Sequence, residues 1–155
     1  LRIEFRAAVL ISLLTLLWLS IEYAIGLQDR FIAIYPFVTL LSIVIPVYCY
    51  RKAFTEKSMQ LHGNLNFKQG FISGLGITFF TSLLCILVQI AFVKGINPDF
   101  ISTMLDHAVS DAHQRPEVAA AFINTQAYVI GSVLLTFVSG LFITLILSAV
   151  MRTPK

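Results

Sequence analysis

Charge is the scarcest commodity in this chain: only 12% of its 155 residues are Asp, Glu, Lys or Arg, against about 25% in an ordinary soluble domain. With 57% hydrophobic residues and a mean hydropathy of +0.85, that deficit excludes a typical water-soluble fold. Cysteine is limited to Cys49 and Cys85, too few for a disulfide framework or a thiolate metal motif. Both lie in apolar stretches, so a disulfide between them is poorly motivated and the redox compartment stays unread. Gly-x-Ser-x-Gly, His-Glu-x-x-His, a pair of Asp within one apolar run and a phosphate-binding glycine loop are all missing. The sequence therefore assigns no catalytic residue, no cofactor and no metal site, and the chain reads as a non-enzyme. Its net charge of +3 does not form a nucleic-acid face, because the basic residues sit at helix ends and in one short loop.

Four long apolar runs are what the chain has instead, roughly Ala7 to Gly26, Phe31 to Tyr50, Gly70 to Val93 and Ala127 to Met151. At 1.5 Å per residue, about 20 residues of helix match the hydrocarbon thickness of a bilayer. A segment in lipid must satisfy its own backbone hydrogen bonds, so each run predicts a transmembrane helix. The expectation is an all-α four-helix transmembrane bundle, one integral membrane domain over residues 1–155, with the lipid bilayer as its first partner. The first run follows Arg2 and Arg6, which raises a secretory signal. Its apolar stretch is longer than a signal core and Ala24-Ile25-Gly26 is a weak cleavage pattern, so it is read as a retained span. The chain opens on Leu1 and not Met, so a few upstream residues are expected.

Basic residues are unevenly shared. Arg2, Arg6, Arg51, Lys52, Lys57, Lys68, Arg152 and Lys155 fall on one side of the four spans, and Arg30, Lys94 and Arg115 on the other. The positive-inside rule then places both termini and the middle loop in the cytoplasm. Tyr48 and Tyr50 are expected at the inner interface, and Tyr23, Tyr35 and Tyr128 toward the outer one.

Only Leu27 to Arg30 separate the first two runs, which predicts a tight helical hairpin. Pro46 should kink the second span by removing a backbone donor. In the inner loop from Arg51 to Gln69 the helix is expected to continue for a turn or two and then break at His62-Gly63-Asn64. Asn66 with Gln69 three positions later reads as a capping box opening the third span. Between spans three and four, Asn97-Pro98 predicts a helix start. Phe100, Ile101, Met104, Leu105, Ala108, Val109 and Ala112 give that helix an apolar face, with Asp99, Ser102, Asp106, Ser110 and Asp111 elsewhere. An amphipathic helix in the outer loop follows, ended by Arg115-Pro116, with a second short helix from Glu117 to Asn124.

Two stripes of small or weakly polar residues recur every four positions: Gly70, Gly74, Thr78 and Ser82 in the third span, and Ser132, Thr136, Gly140, Thr144 and Ser148 in the fourth. Such stripes let helix backbones approach closely, either against each other or against another membrane subunit or a second copy. Glu22 is the one acid inside an expected span. A carboxylate there must face the bundle, find a partner or reach the interface. It is the candidate intramembrane functional acid, with a structural hydrogen bond or a pairing with Arg30 or Lys94 as the alternative. His107 and Asp111, flanked by Asp106 and His113, raise a metal site, but their faces diverge and no second cluster completes a tetrahedral set.

Leu17-Trp18 leading to Glu22 and Gly26-Leu27, with Asp29 following, the stretch Asn66-Phe67-Lys68-Gln69-Gly70-Phe71-Ile72-Ser73-Gly74, and Pro98-Asp99-Phe100 together resemble a family of small bacterial inner-membrane proteins catalogued as a domain of unknown function. The resemblance covers nearly the whole chain and implies four spans. It brings no activity and no catalytic residue. The function expected is a noncatalytic accessory or scaffold subunit associating through the small-residue stripes; the alternative is a small transporter or channel component using Glu22.

Overall fold

A computed structural model describes residues 1–152 apart from 29, 32, 111, 112 and 114. Among these the regular elements are helical: α1 (Arg2–Ala24), α2 (Tyr35–Leu40), a 3-10 turn (Leu41–Ile43), α3 (Val44–Gln60), α4 (Phe67–Ala91), a π turn (Phe92–Ile96), α5 (Phe100–Ser110), α6 (Pro116–Phe122) and α7 (Thr125–Val150). Four helical runs are long and apolar enough to cross a membrane: α1, Tyr35–Gln60 taken as one, Phe67–Ile96, and α7. The chain is an all-helical membrane protein of the expected class, with α5 as the amphipathic element between the third and fourth runs.

The termini of these helices follow from local chemistry. Helix α1 stops because Gly26 adopts φ +75°, which glycine enters without steric cost. The Leu27 and Gly26 amides then donate to the Glu22 and Tyr23 carbonyls at 3.0 and 2.9 Å, the two bonds of a Schellman motif. The second span starts at Tyr35, not Phe31, because Pro36 sits in its first turn, where a missing N–H costs nothing. The link between the first two spans is thus longer than the sequence suggested. The span also runs past Tyr50 to Gln60, ending with His62 at φ 52° and Gly63 at φ 82°.

Two further expectations are corrected. Tyr50 does not present its ring to the membrane surface; it is 1% exposed and buried in the bundle, its hydroxyl against Thr78. Asn97 does not cap the outer helix. Its side chain donates to Gln28 Oε1 at 3.0 Å, and α5 begins at Phe100, with the Asp99 carbonyl accepting from the Thr103 amide at 2.9 Å. The Asn66–Gln69 capping box is present, with bonds of 2.9 and 3.1 Å. Asn124 caps α7 by its side chain alone, accepting from the Ala127 amide at 2.9 Å.

Helix α4 is the centre of the bundle, packed between α1, which runs parallel to it, and α7, which runs antiparallel; α3 lies against all three. Two apolar cores result. One, toward the Glu4 end, gathers Ile11, Tyr50, Phe54, Leu65, Ile77 and Ile143. The other, at the Glu22 end, gathers Leu19, Tyr35, Val88, Phe92, Val93 and Phe100. Phe100 brings α5 onto that end, its ring edge-on to Tyr35, Phe92 and Tyr128 with centroids 5.1 to 5.6 Å apart. Helix α2 is the exception to this close packing: beyond its buried Tyr35 it leans out, with Phe37 and Leu40 exposed.

Candidate functional site

The second span tightens where proline chemistry dictates. Pro46 has no N–H to offer the Ser42 carbonyl, and its ring crowds that carbonyl. The α ladder gives way to a 3-10 turn at Leu41–Ile43, and the outlying α2 departs from α7. A cleft of about 510 Å³ opens there, between the two cores, walled by α1, the second span, α4 and α7. Its rim is formed by Phe37, Leu40 and Leu135, all exposed on the flank of the bundle. The walls are mainly apolar, with hydroxyls set into them. Two of these, Ser12 Oγ and Thr81 Oγ1, are buried and have no hydrogen-bond partner. Buried hydroxyls are ordinarily satisfied; Ser82 and Ser148, outside the cleft, share this condition.

Glu22 stands at one end of this cleft, behind Thr39. It is 2% exposed. Its Oε1 accepts from Trp18 Nε1 at 2.7 Å and from Thr39 Oγ1 at 2.9 Å, and Thr39 is itself part of the cleft wall. Oε2 makes no hydrogen bond, although the Gln28 side chain lies beside the carboxylate. Neither Arg30 nor Lys94 pairs with Glu22; both are exposed, and the partners are Trp18 and Thr39. Gln28 is fully buried, donates to the Leu19 carbonyl at 3.3 Å and accepts from Asn97, tying the first link to the end of α4.

The small-residue stripes meet each other inside the chain. Gly70 faces Ser148, Gly74 faces Thr144, and Gly140 faces Thr78 and the Tyr50 hydroxyl. Positions rise by four on α4 as they fall by four on α7, the register of an antiparallel close contact. Tyr50 and Thr78 hydroxyls are 2.8 Å apart, Thr78 donates to the Gly74 carbonyl at 2.9 Å and lies 3.4 Å from Thr144 Oγ1. Thr136 donates to Cys85 Sγ at 3.5 Å. Ser82 is buried without a partner. Ser132 is set apart: it lines a smaller pocket of about 250 Å³ with Ile101, Met104 and Tyr128, between α5 and α7.

A second buried acid escaped the sequence reading. Glu4 accepts from Lys57 Nζ at 3.1 Å and Ser73 Oγ at 2.7 Å, and packs its stem on Gly76. Glu56 takes Arg6 at 2.6 Å nearby, in the open. Glu4 was missed because the first span was taken to begin at Ala7. Continuing the buried face of Glu22, Leu19 and Ile11 backward in helical steps through Ala8 reaches Glu4. Cys49 and Cys85 are both free and buried. Asp111 lies outside the described residues, so the His107–Asp111 pair is not placed; among the described residues no three His, Cys, Asp or Glu gather around a point.

Compared with known protein families, residues 6–153 match one described as a protein of unknown function, DUF4199. Neither the comparison with curated proteins nor that with solved structures returns a match.

Proposed function

The chain belongs to the DUF4199 family of proteins of unknown function, and we propose that it is a noncatalytic membrane protein that takes a small amphiphilic solute from the bilayer into the cleft beside its second span, as a carrier or a component of one. The observation that carries this reading is the coincidence of a 3-10 turn within the second span, a cleft open on the flank, and two buried hydroxyls in its lining without partners. The accessory or scaffold role drew its support from the small-residue stripes. Most of those residues are engaged within the chain, which shifts the balance toward solute handling. The asymmetry of basic residues supports an inner-membrane setting with both termini cytoplasmic.

The test is photolabelling in lipid nanodiscs with a diazirine-bearing alkyl alcohol. Label is expected to concentrate on the Tyr35–Ile43 stretch and on the Leu135–Ile143 face of α7. Ser139→Phe, which fills the cleft from α7, should reduce that labelling several-fold. Label spread evenly over all lipid-facing helices, unchanged by the substitution, would refute the reading.

A further inference from the structure

We propose that Glu22 is the charge-recognition group of the cleft and that the solute it selects is a lipophilic organic cation, an alkylammonium with an apolar tail. This rests on the cleft reading above and goes further, by naming the class of solute and the residue that selects it.

The geometry begins with a carboxylate that is almost wholly buried yet uses only one of its oxygens. Oε1 is held by Trp18 and Thr39, while Oε2 is unbonded. An acid in an apolar bundle is costly unless a partner meets it. No cation among the described residues does so: the Lys and Arg pairings at buried or half-buried acids lie at the other end, on Glu4 and Glu56. Thr39 links Glu22 to the cleft, its hydroxyl on Oε1 and its side chain in the cleft wall, and it sits on α2, whose contacts with the rest of the bundle are few. A small outward swing of α2 takes Thr39 from Oε1 and exposes the carboxylate to whatever occupies the cleft.

The rest of the cleft decides which cation. A metal ion such as calcium needs six or more oxygen ligands, and one carboxylate with scattered hydroxyls does not supply them. An organic ammonium needs a single counter-charge, and it gains from aromatic faces within about 6 Å. Trp18 meets the carboxylate through its indole N–H, and the Tyr35 ring lines the cleft. The apolar walls from Leu40 to Ile143 suit a hydrocarbon tail. Ser12 lies ten residues before Glu22 on the same helix, about 15 Å along the axis. The unbonded Ser12 and Thr81 hydroxyls thus offer a second polar contact to a solute of about that length.

The experiment measures binding to protein in nanodiscs of neutral lipid, using decyltrimethylammonium and its uncharged isostere, a decyl chain ending in a tert-butyl group. The native protein is expected to prefer the cation by about tenfold, the ratio that 1.4 kcal/mol of added attraction gives. Glu22→Gln, which keeps the shape and the Trp18 and Thr39 contacts, should erase the preference while leaving the isostere bound as before. Equal binding of both compounds to the native protein, or a preference that survives Glu22→Gln, overturns the cation assignment and leaves the cleft reading standing. If neither compound binds and Ser139→Phe changes nothing, the cleft reading falls, and this proposal with it. Should Glu22→Gln fail to fold, Thr39→Val, which leaves the carboxylate in place and removes its donor, should strengthen cation binding; no change there also overturns the proposal.

Discussion

At the scale of single residues, this protein is governed by missing side chains as much as by present ones. A Cβ placed on Gly74 would lie within 3 Å of three atoms of the Thr144 side chain, and one on Gly140 within 3 Å of both Thr78 and Tyr50. Gly74→Ala should therefore destabilise the bundle by about 1–3 kcal/mol, the usual cost of overfilling a packed contact. Gly131→Ala, at a position with open space, serves as the control and should be neutral or slightly stabilising. Thermal unfolding in detergent, followed by the soluble fraction after heating, separates the two; equal effects would count against the α4–α7 contact. Glu22 and the stripes were legible in the sequence because charge and small residues stand out in an apolar run. Glu4, Gln28 and Asn97 were not, since polar residues near a span's end look solvated until the fold buries them.

At the scale of elements, the same physics sets where helices end and where one of them breaks. Helix α3 closes with the Gly63 amide on the Ser58 carbonyl at 2.9 Å and the His62 amide on the Met59 carbonyl at 3.1 Å, the Schellman pattern that ends α1. Here the left-handed position is held by His62, at φ 52°, and a residue with a Cβ pays about 1 kcal/mol for it. Replacing His62 with Gly should recover about that much, seen as a higher midpoint in the same thermal assay; a lower midpoint would mean that the imidazole has a role the backbone does not explain. The existence and type of each span could be read from apolar length alone. The start of the second span moved from Phe31 to Tyr35 because Pro36 acts through backbone conformation, which hydropathy does not register; the stops at Gly26 and at His62-Gly63 were legible from their turn residues. Pro46 was legible as a disturbance. Its result was not, since a 3-10 turn, a bend and an open cleft are equally compatible with a missing donor until neighbours are placed.

At the scale of the whole molecule, an even number of spans puts the Arg2 and Val150 ends of the bundle on one side, together with the Leu61–Asn66 connection. Basic residues crowd that side, and Arg6–Glu56 and Lys57–Glu4 fasten α1 to α3 there. In a background lacking Cys49 and Cys85, Asn64→Cys should resist a membrane-impermeant maleimide in intact cells until the envelope is opened. Asp106→Cys, exposed on α5 at the other end, should react at once. The reverse pattern would invert the chain in its membrane while leaving the helical contacts as described.

Phe100 bears on how the interior can be reached at all. Its ring holds α5 against Tyr35, Phe92 and Tyr128 at the Glu22 end of the bundle, while the cleft rim of Phe37, Leu40 and Leu135 lies on the flank. On the proposed reading, a guest that enters between Phe37 and Leu135 arrives already dissolved in lipid. Occupancy is then governed by mole fraction in the surrounding bilayer rather than by molarity in water, and a change in membrane composition would retune this protein without altering one of its atoms.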